Sequence, residues 1–115
     1  MNEMVISLSW DQLDSLTGFM DTCLTRWGVP TILRLRIQMV TEELFSALVS
    51  APGGQTGRMR CTFPAAGTIL LQYRTAEGPL SPDLDSLRSL AEDPCTYGLK
   101  IEAGQDSCTI LVGQR

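Results

Sequence analysis

Hydrophobic residues follow one another with few interruptions from Pro30 to Ala51, and no glycine or second proline occurs between them. This segment predicts one long helix, because proline suits the first turn of a helix and both residues disrupt its interior. The apolar positions are too many for a single stripe, so we expect the helix to be buried over most of its circumference. The rest of the chain is expected to pack around it.

Three polar residues interrupt the apolar surface of this central helix at intervals of four positions: Gln38, Glu42 and Ser46. Side chains at this spacing lie on the same side of a helix, so the three are expected to form one polar stripe. A buried carboxylate without a partner is costly, which leaves two interpretations. Either the stripe faces a cleft, or its side chains pair with neighbouring backbone groups.

The remaining segments show strand and helix patterns in turn. Alternation of apolar and polar residues predicts an edge strand near the N-terminus, and apolar residues spaced by three and four predict an amphipathic helix after it. Two strands that flank the turn from Pro64 to Gly67 predict a hairpin with one buried face. In chain order, the predicted elements are a strand at Val5 to Ser9, a helix from Leu13 to Trp27, the central helix, strands at Arg58 to Phe63 and Thr68 to Arg74, a short helix from Leu84 to Ala91, one or two helical turns within Tyr97 to Ala103, and a strand at Cys108 to Val112.

This order of elements predicts an α+β fold that forms a single domain over residues 1–115. We expect a two-layer sandwich in which a mostly antiparallel sheet is covered on one face by two long helices. A chain of 115 residues is long enough to bury one hydrophobic core.

The composition narrows the classes of function. The net charge of −4 argues against nonspecific binding of nucleic acid or of an anionic membrane. The chain has no histidine, which excludes hydrolases of the Ser-His and Cys-His types. Neither a membrane-spanning run of about eighteen apolar residues nor a signal-peptide pattern occurs, so a cytoplasmic location is expected. The four cysteines are far apart in sequence and are expected to be buried, inert thiols.

Five arginines form two clusters in the sequence. Arg34 and Arg36 lie near the start of the central helix, where positive charge is unfavourable to the helix dipole, so a carboxylate or a ligand is a candidate partner for them. Arg58, Arg60 and Arg74 fall on one face of the predicted hairpin. They are interpreted either as a solvated face paired with acidic residues or as a site for phosphate or an acidic partner.

Three short motifs occur in order along the chain. The central helix contains Glu42-Glu43-Leu44-Phe45-Ser46-Ala47, the loop after the hairpin reads Ala76-Glu77-Gly78-Pro79-Leu80-Ser81-Pro82, and Tyr97-Gly98-Leu99-Lys100-Ile101 precedes the last strand. In layout and motif order the chain resembles the GHKL nucleotide-binding family, and in size it is most similar to the bacterial anti-sigma serine kinases of that family. The resemblance implies the histidine kinase-like ATPase fold, also called the Bergerat fold.

The resemblance also implies a site in which ATP or ADP binds with Mg²⁺ against the central helix. Glu42 matches the position of the family's general base, and Ser46 matches the asparagine that binds magnesium. The other positions that the resemblance assigns to nucleotide binding, in addition to Glu42 and Ser46, are Gln38, Glu77, Gly78, Gly98 and Leu99.

The chain departs from the family at both positions that anchor the nucleotide. Ser46 offers only a hydroxyl, which is a poorer magnesium ligand than an amide oxygen. Ala76 replaces the aspartate that accepts a hydrogen bond from the adenine amino group. The glycine-rich lid that wraps the phosphates is missing between Pro82 and Gly98. Each lost anchor is expected to weaken binding by roughly ten- to two-hundred-fold.

These departures favour a regulatory protein that keeps the anti-sigma scaffold, has a degenerate nucleotide site and acts through protein–protein contact. The expected partner is a sigma factor or an anti-anti-sigma-like protein, and a homodimer would use the same surface, formed by the first helix and the sheet edge. Two alternatives stay open. One is an active serine kinase with Glu42 as base, Ser46 and a water on magnesium, and Glu77 contacting adenine. The other is a module that binds a different small ligand in the same cleft.

Overall fold

The computed structural model describes residues 2–52, 55–65, 68–77, 79–92 and 98–113. A short 3-10 turn, Trp10–Gln12, precedes the first helix. The helices and strands are, in chain order, β1 (Glu3–Ser7), α1 (Leu13–Arg26), α2 (Thr31–Ser50), β2 (Thr56–Ala65), β3 (Thr68–Thr75), α3 (Asp85–Glu92), β4 (Leu99–Ala103) and β5 (Ser107–Gly113).

Five strands form one sheet in the order β1-β2-β3-β5-β4, and every neighbouring pair is antiparallel. The predicted α+β class and the predominantly antiparallel sheet are therefore confirmed. The expected hairpin is the pair β2–β3, and the first strand lies at a sheet edge as predicted. Strand β2 extends beyond its predicted bounds at both ends, since Thr56 and Ala65 also pair with neighbouring strands.

The prediction of helical turns between Tyr97 and Ala103 was wrong, because residues Leu99–Ala103 form strand β4. The strand pairs with β5, so that Leu99 lies opposite Val112 and Ile101 opposite Ile110. Leu99 and Ile101 point to the core while the charged residues between and after them are exposed, which is the two-residue period of a strand. This segment is too short for its own residue pattern to distinguish a helix from a strand. Its pairing with β5 determines that it is a strand. Tyr97 itself lies outside the described residues.

One hydrophobic cluster combines the inner face of the sheet with residues of all three helices. Within α2, Leu44, Phe45 and Leu48 are fully buried. Trp10 covers the edge of the Phe45 ring, with ring centroids 6.0 Å apart in a T-shaped arrangement. Within the described part of the chain, no helix is both long enough and apolar enough to cross a bilayer.

The outer face of the sheet carries the second arginine cluster, as the hairpin pattern predicts. Met59 and Cys61 are buried on the inner face, so Arg58 and Arg60 project from the opposite side of β2. In the β2–β3 pairing Arg58 lies directly opposite Arg74. Arg58 also forms a salt bridge of 3.0 Å with Glu3 of β1.

Three weakly acidic groups are buried on the inner face of the sheet. Burial raises the pKa of the Tyr73 hydroxyl and of the Cys61 thiol to about 12, and that of the Cys108 thiol to about 11. All three pKa values are higher than in the unfolded chain, so the stabilising effect is complete below about pH 9 and is lost as pH rises through the folded values.

We therefore expect the free energy of unfolding to fall between about pH 9 and pH 12, by about 1.4 kcal/mol per pH unit for each group that stays protonated only in the folded chain. Urea denaturation at a series of alkaline pH values measures the effect. A Cys108→Ala variant serves as the comparison, because its slope should be shallower than that of the wild type between about pH 9 and pH 11. A free energy of unfolding that stays constant up to about pH 11 would contradict the burial of these groups.

Candidate functional site

Ser46 lines a cavity between the second half of α2 and the start of α3. The cavity has a volume of about 350 Å³, and Glu43, Ser81 and Asp83 contribute polar groups to its wall. Asp83 Oδ1 accepts a hydrogen bond of 3.0 Å from the backbone N–H of Asp85 and so stabilises the start of α3. This polar recess beside the central helix is called the Ser46 cavity below.

The polar stripe of α2 does not line this cavity as a unit. Ser46 reaches it, whereas Gln38 and Glu42 are absent from its wall. Each step of four residues rotates a position by about 40° around a helix axis, so the two steps from Gln38 to Ser46 turn the stripe by about 80°. Gln38 therefore points toward α1, Glu42 is exposed to solvent, and Ser46 lies near α3.

Gln38 belongs to the contact between α1 and α2. Its Nε2 donates a hydrogen bond of 3.3 Å to the carbonyl of Thr17. For Gln38, pairing with a neighbouring backbone group is therefore the interpretation that the structure supports. Among the described residues, Gln38 Oε1 and Arg34 Nε are buried without hydrogen-bond partners. Arg34 is further held toward α1, because its Nη1 donates to Thr25 Oγ1 at 3.1 Å and lies 4.0 Å from Asp21 Oδ1. For Arg34 the partners are thus found on the neighbouring helix.

The loop after β3 lies at a different place from the Ser46 cavity. Ala76 lines a cavity formed with Thr75, Pro79 and residues of the β4–β5 loop, and this cavity shares no wall residue with the one at Ser46. Glu77 accepts a hydrogen bond from the backbone N–H of Thr56 through Oε1, so its carboxylate holds the start of β2. Gly78 lies outside the described residues.

Gly98 and Leu99 have structural roles in the sheet. Gly98 has a φ of +92°, and its carbonyl accepts a hydrogen bond of 3.1 Å from the N–H of Gly113. A Cβ at this position would lie 2.9 Å from the Gly113 carbonyl oxygen, so both the backbone angle and the space favour glycine. Leu99 is buried in the core cluster.

Among the residues that the structure describes, Ser46, Glu77 and Gly98, which the resemblance assigns to nucleotide binding, lie at separate places. Gly98 is bonded to Gly113, which pairs with Thr68 at the start of β3, whereas Glu77 follows the end of β3. The seven residue steps along β3 separate these two ends by about 24 Å. Ser46 lies at a third place, on the helix side of the core.

The donors near Ser46 differ from the magnesium site that the resemblance implies, in which an asparagine amide of the central helix binds the metal. Mg²⁺ prefers octahedral coordination by carboxylates, phosphates and water. Glu43 and Asp83 are the carboxylates of the Ser46 cavity, and Asp83 already binds a backbone N–H through Oδ1. In the portion of the chain that the structure describes, no group of three or more histidine, cysteine, aspartate or glutamate residues is arranged to hold a metal ion.

One surface feature was missed from the sequence: α2 exposes an apolar stripe formed by Ile32, Leu35 and Met39. Their exposed fractions are 66%, 67% and 41%. The expectation that α2 is buried over most of its circumference was wrong for this side of the helix. The spacing of these three residues already indicates that they lie together, because positions separated by three and four residues share a helix face. This α2 apolar stripe runs for about 10 Å along the helix.

The comparisons with known proteins do not narrow these assignments, since the chain matches no protein-family model and no curated protein.

Proposed function

We propose that this protein is a regulatory module of the anti-sigma type that acts by binding a protein partner and has lost the nucleotide site of the scaffold. The observation that carries the proposal is the α2 apolar stripe, three large side chains exposed on the helix whose other faces form the core. Exposed apolar residues that are contiguous, rather than scattered, mark contact surfaces. The order of the elements and of the three motifs along the chain supports the anti-sigma scaffold.

The partner that fits the stripe is a protein with an apolar helix face or groove. Leu35 is the central residue of the stripe, with Ile32 three positions before it and Met39 four positions after it, as in helices that dock on a groove. Arg36 and Glu42 flank the stripe and provide polar groups for the rim of such a contact. Within the proposed class, the partner is a sigma factor or an anti-anti-sigma-like protein.

A charge placed in the centre of the stripe tests this surface. The protein is titrated against purified sigma factors and anti-anti-sigma-like proteins encoded by the same genome, as the wild type and as Leu35→Glu. We expect Leu35→Glu to weaken the complex by about a hundredfold, because the contact would bury an unpaired carboxylate among apolar groups.

The comparison variant is Val5→Glu, which introduces the same charge at an equally exposed apolar residue of β1, the edge strand of the sheet. The partner surface expected from the sequence is the first helix and the sheet edge, so the two variants distinguish that surface from the α2 apolar stripe. Val5→Glu should bind the partner as the wild type does. Equal loss in both variants would contradict a contact at α2, and failure of every sigma factor and anti-anti-sigma-like protein to bind would overturn the proposed class.

The second part of the proposal predicts that nucleotide binding is absent or very weak. Calorimetric titration with ATP and ADP, each with and without Mg²⁺, should give no dissociation constant below about 1 mM, since the implied anchors are replaced and lie at separate places. The double variant Ser46→Asn, Ala76→Asp should give no gain, because these positions line different cavities. A dissociation constant below about 100 μM for the wild type would support the alternative of an active kinase and contradict the degenerate site. The same affinity in the double variant alone would contradict the separation of Ser46 and Ala76.

The alternative of a small ligand other than ATP has one observation in its favour. The Ser46 cavity, at about 350 Å³, has the size of small-molecule sites and combines two carboxylates with several serine hydroxyls. A ligand for it would carry hydrogen-bond donors or a positive charge. Chemical shifts of the amides around Ser46 and Asp83 during titration with polyamines and amino sugars distinguish this alternative from an empty recess.

A further inference from the structure

Three arginines are brought together on the outer face of the sheet, opposite to the face that packs on the core. Arg58 of β2 lies directly across from Arg74 of β3, and Arg60 follows Arg58 on the same face. The Cβ atoms of directly opposed residues in antiparallel strands are about 5 Å apart, and like charges in such pairs are destabilising. The chain therefore carries an unfavourable arrangement at this place, even though its overall charge is −4.

The acidic residues of the sheet compensate only part of this charge. Glu3 accepts a hydrogen bond of 3.0 Å from Arg58 Nη1, and in the β1–β2 pairing it lies opposite Arg60. Among the residues that the structure describes, neither Arg60 nor Arg74 forms an ion pair. Three guanidinium groups against one paired carboxylate leave two positive charges without an ion-pair partner in the described part of the chain.

Two adjoining cavities give this surface a shape. A small cavity of about 140 Å³ is lined by Glu3, Arg58, Arg60, Gln72 and Arg74. A larger one of about 670 Å³ shares Arg58 and Arg74 with it and extends over Val5 and Gly57. The small cavity is thus a basic recess, and the larger one offers a partly apolar surface beside it.

The distribution of charge between the two cavities favours one orientation of a bound ligand. Glu77 and Asp106 line the larger cavity, where their carboxylates repel an anion. Glu77 is already bound to the N–H of Thr56. Val5 is 61% exposed in the larger cavity, so the body of a ligand finds apolar contact there. An anionic group is favoured in the small cavity, and an uncharged body in the large one.

We propose that the outer face of the sheet binds a phosphate monoester, with the phosphoryl group in the small cavity and the body of the ligand over Val5. A phosphate monoester carries a charge of about −1.5 to −2 at pH 7, which matches the two uncompensated positive charges. Arginine presents a planar fork of N–H donors that binds phosphate oxygens in pairs. Gln72 Nε2 is engaged with Thr109 Oγ1 at 3.1 Å, so the three arginines are the donors that matter.

The site lies on the outer face of the sheet and shares no residue with the α2 apolar stripe, so it does not depend on the function proposed above. The probes are phenyl phosphate, which carries an apolar body, inorganic phosphate, which has none, and benzenesulfonate, which has the same body and one negative charge. Titrations are followed by the backbone amide shifts of β2 and β3 in NMR spectra of the intact chain.

We expect saturable binding of phenyl phosphate with shifts centred on Arg58, Arg60 and Arg74, and weaker binding of both other probes. Arg74→Gln should lower the affinity for phenyl phosphate by about tenfold, since the substitution removes charge-assisted hydrogen bonds. Lys100→Gln is the matched control, because Lys100 is exposed on the outer side of β4 and lines neither cavity. It should change the affinity by less than about twofold, because a distant exposed charge is screened.

A peptide that carries phosphotyrosine identifies the source of the phosphoryl group. Tighter binding of the peptide than of phenyl phosphate assigns the site to a phosphorylated protein, and equal binding assigns it to a small phosphorylated molecule. Absence of saturable binding of phenyl phosphate at about 10 mM would overturn the proposal. Equal losses in Arg74→Gln and Lys100→Gln, or equal affinity for benzenesulfonate, would also overturn it.

Discussion

Leu44→Ala is expected to lower the free energy of unfolding by about 2–5 kcal/mol, whereas Leu35→Ala is expected to change it by less than about 0.5 kcal/mol. Both substitutions remove the same atoms from the same helix. Leu44 is fully buried among core residues, so its truncation removes apolar burial and leaves a cavity. Leu35 is 67% exposed and loses little contact.

Urea denaturation of the two variants and the wild type measures this difference. The free energy of unfolding should fall with urea concentration at the same slope in all three proteins. Neither substitution changes by much the surface area that unfolding exposes. Similar losses in the two variants would mean that Leu35 is buried in the free protein, for example in a dimer through α2. That result would remove the exposed stripe on which the proposed function rests, so the pair tests the surface before any partner is known.

The central helix shows which part of the fold the sequence determines. Pro30 and the absence of glycine marked its extent to within one residue at each end, because helix boundaries depend on local chemistry. Its orientation was harder to predict. Apolar residues occupy most positions of α2, so no single stripe marks the core side. The pattern therefore does not separate the exposed Ile32, Leu35 and Met39 from the buried apolar positions.

For the candidate site residues, the sequence predicts which residues share a strand face, but it does not predict which helix and loop residues share a cavity. The three arginines of the outer sheet face were found from alternation alone, because a strand repeats every two residues and admits one assignment of faces. The polar stripe of α2 drifted around the helix, since a spacing of four does not equal the helical repeat of 3.6. Whether Ala76 and Ser46 share a cavity depends on tertiary packing, which no local pattern in the sequence describes.

Gly98 illustrates how a motif and a structural requirement produce the same residue. The resemblance assigns it to a phosphate-binding glycine box, and the structure gives it a positive φ and a close approach to Gly113. The second reason is sufficient for glycine at this position. Short glycine motifs are therefore weak evidence for a ligand when a strand, here β4, begins at the next residue.

Gly57→Ala is expected to destabilise the protein by about 1–3 kcal/mol, and Gly18→Ala to stabilise it by about 0.5–1 kcal/mol. Gly57 lies in β2 under the ring of Tyr73, and a Cβ would be 2.6 Å from both Cζ and the hydroxyl oxygen of that ring. It would also meet the backbone carbonyl of Arg74, which cannot move without disturbing the β2–β3 pairing. Tyr73 is fully buried and has no room to turn away.

Gly18 is the matched control, because it lies inside α1 and a Cβ there meets nothing within 4 Å. Alanine at that position gains helix propensity at no steric cost. Thermal denaturation of the two variants should therefore shift the midpoint in opposite directions. A Gly57→Ala protein as stable as the wild type would mean that Tyr73 and β3 can withdraw from β2. The same movement would separate Arg74 from Arg58, so a tolerated alanine at Gly57 would also predict weak binding of phenyl phosphate on the outer face of the sheet.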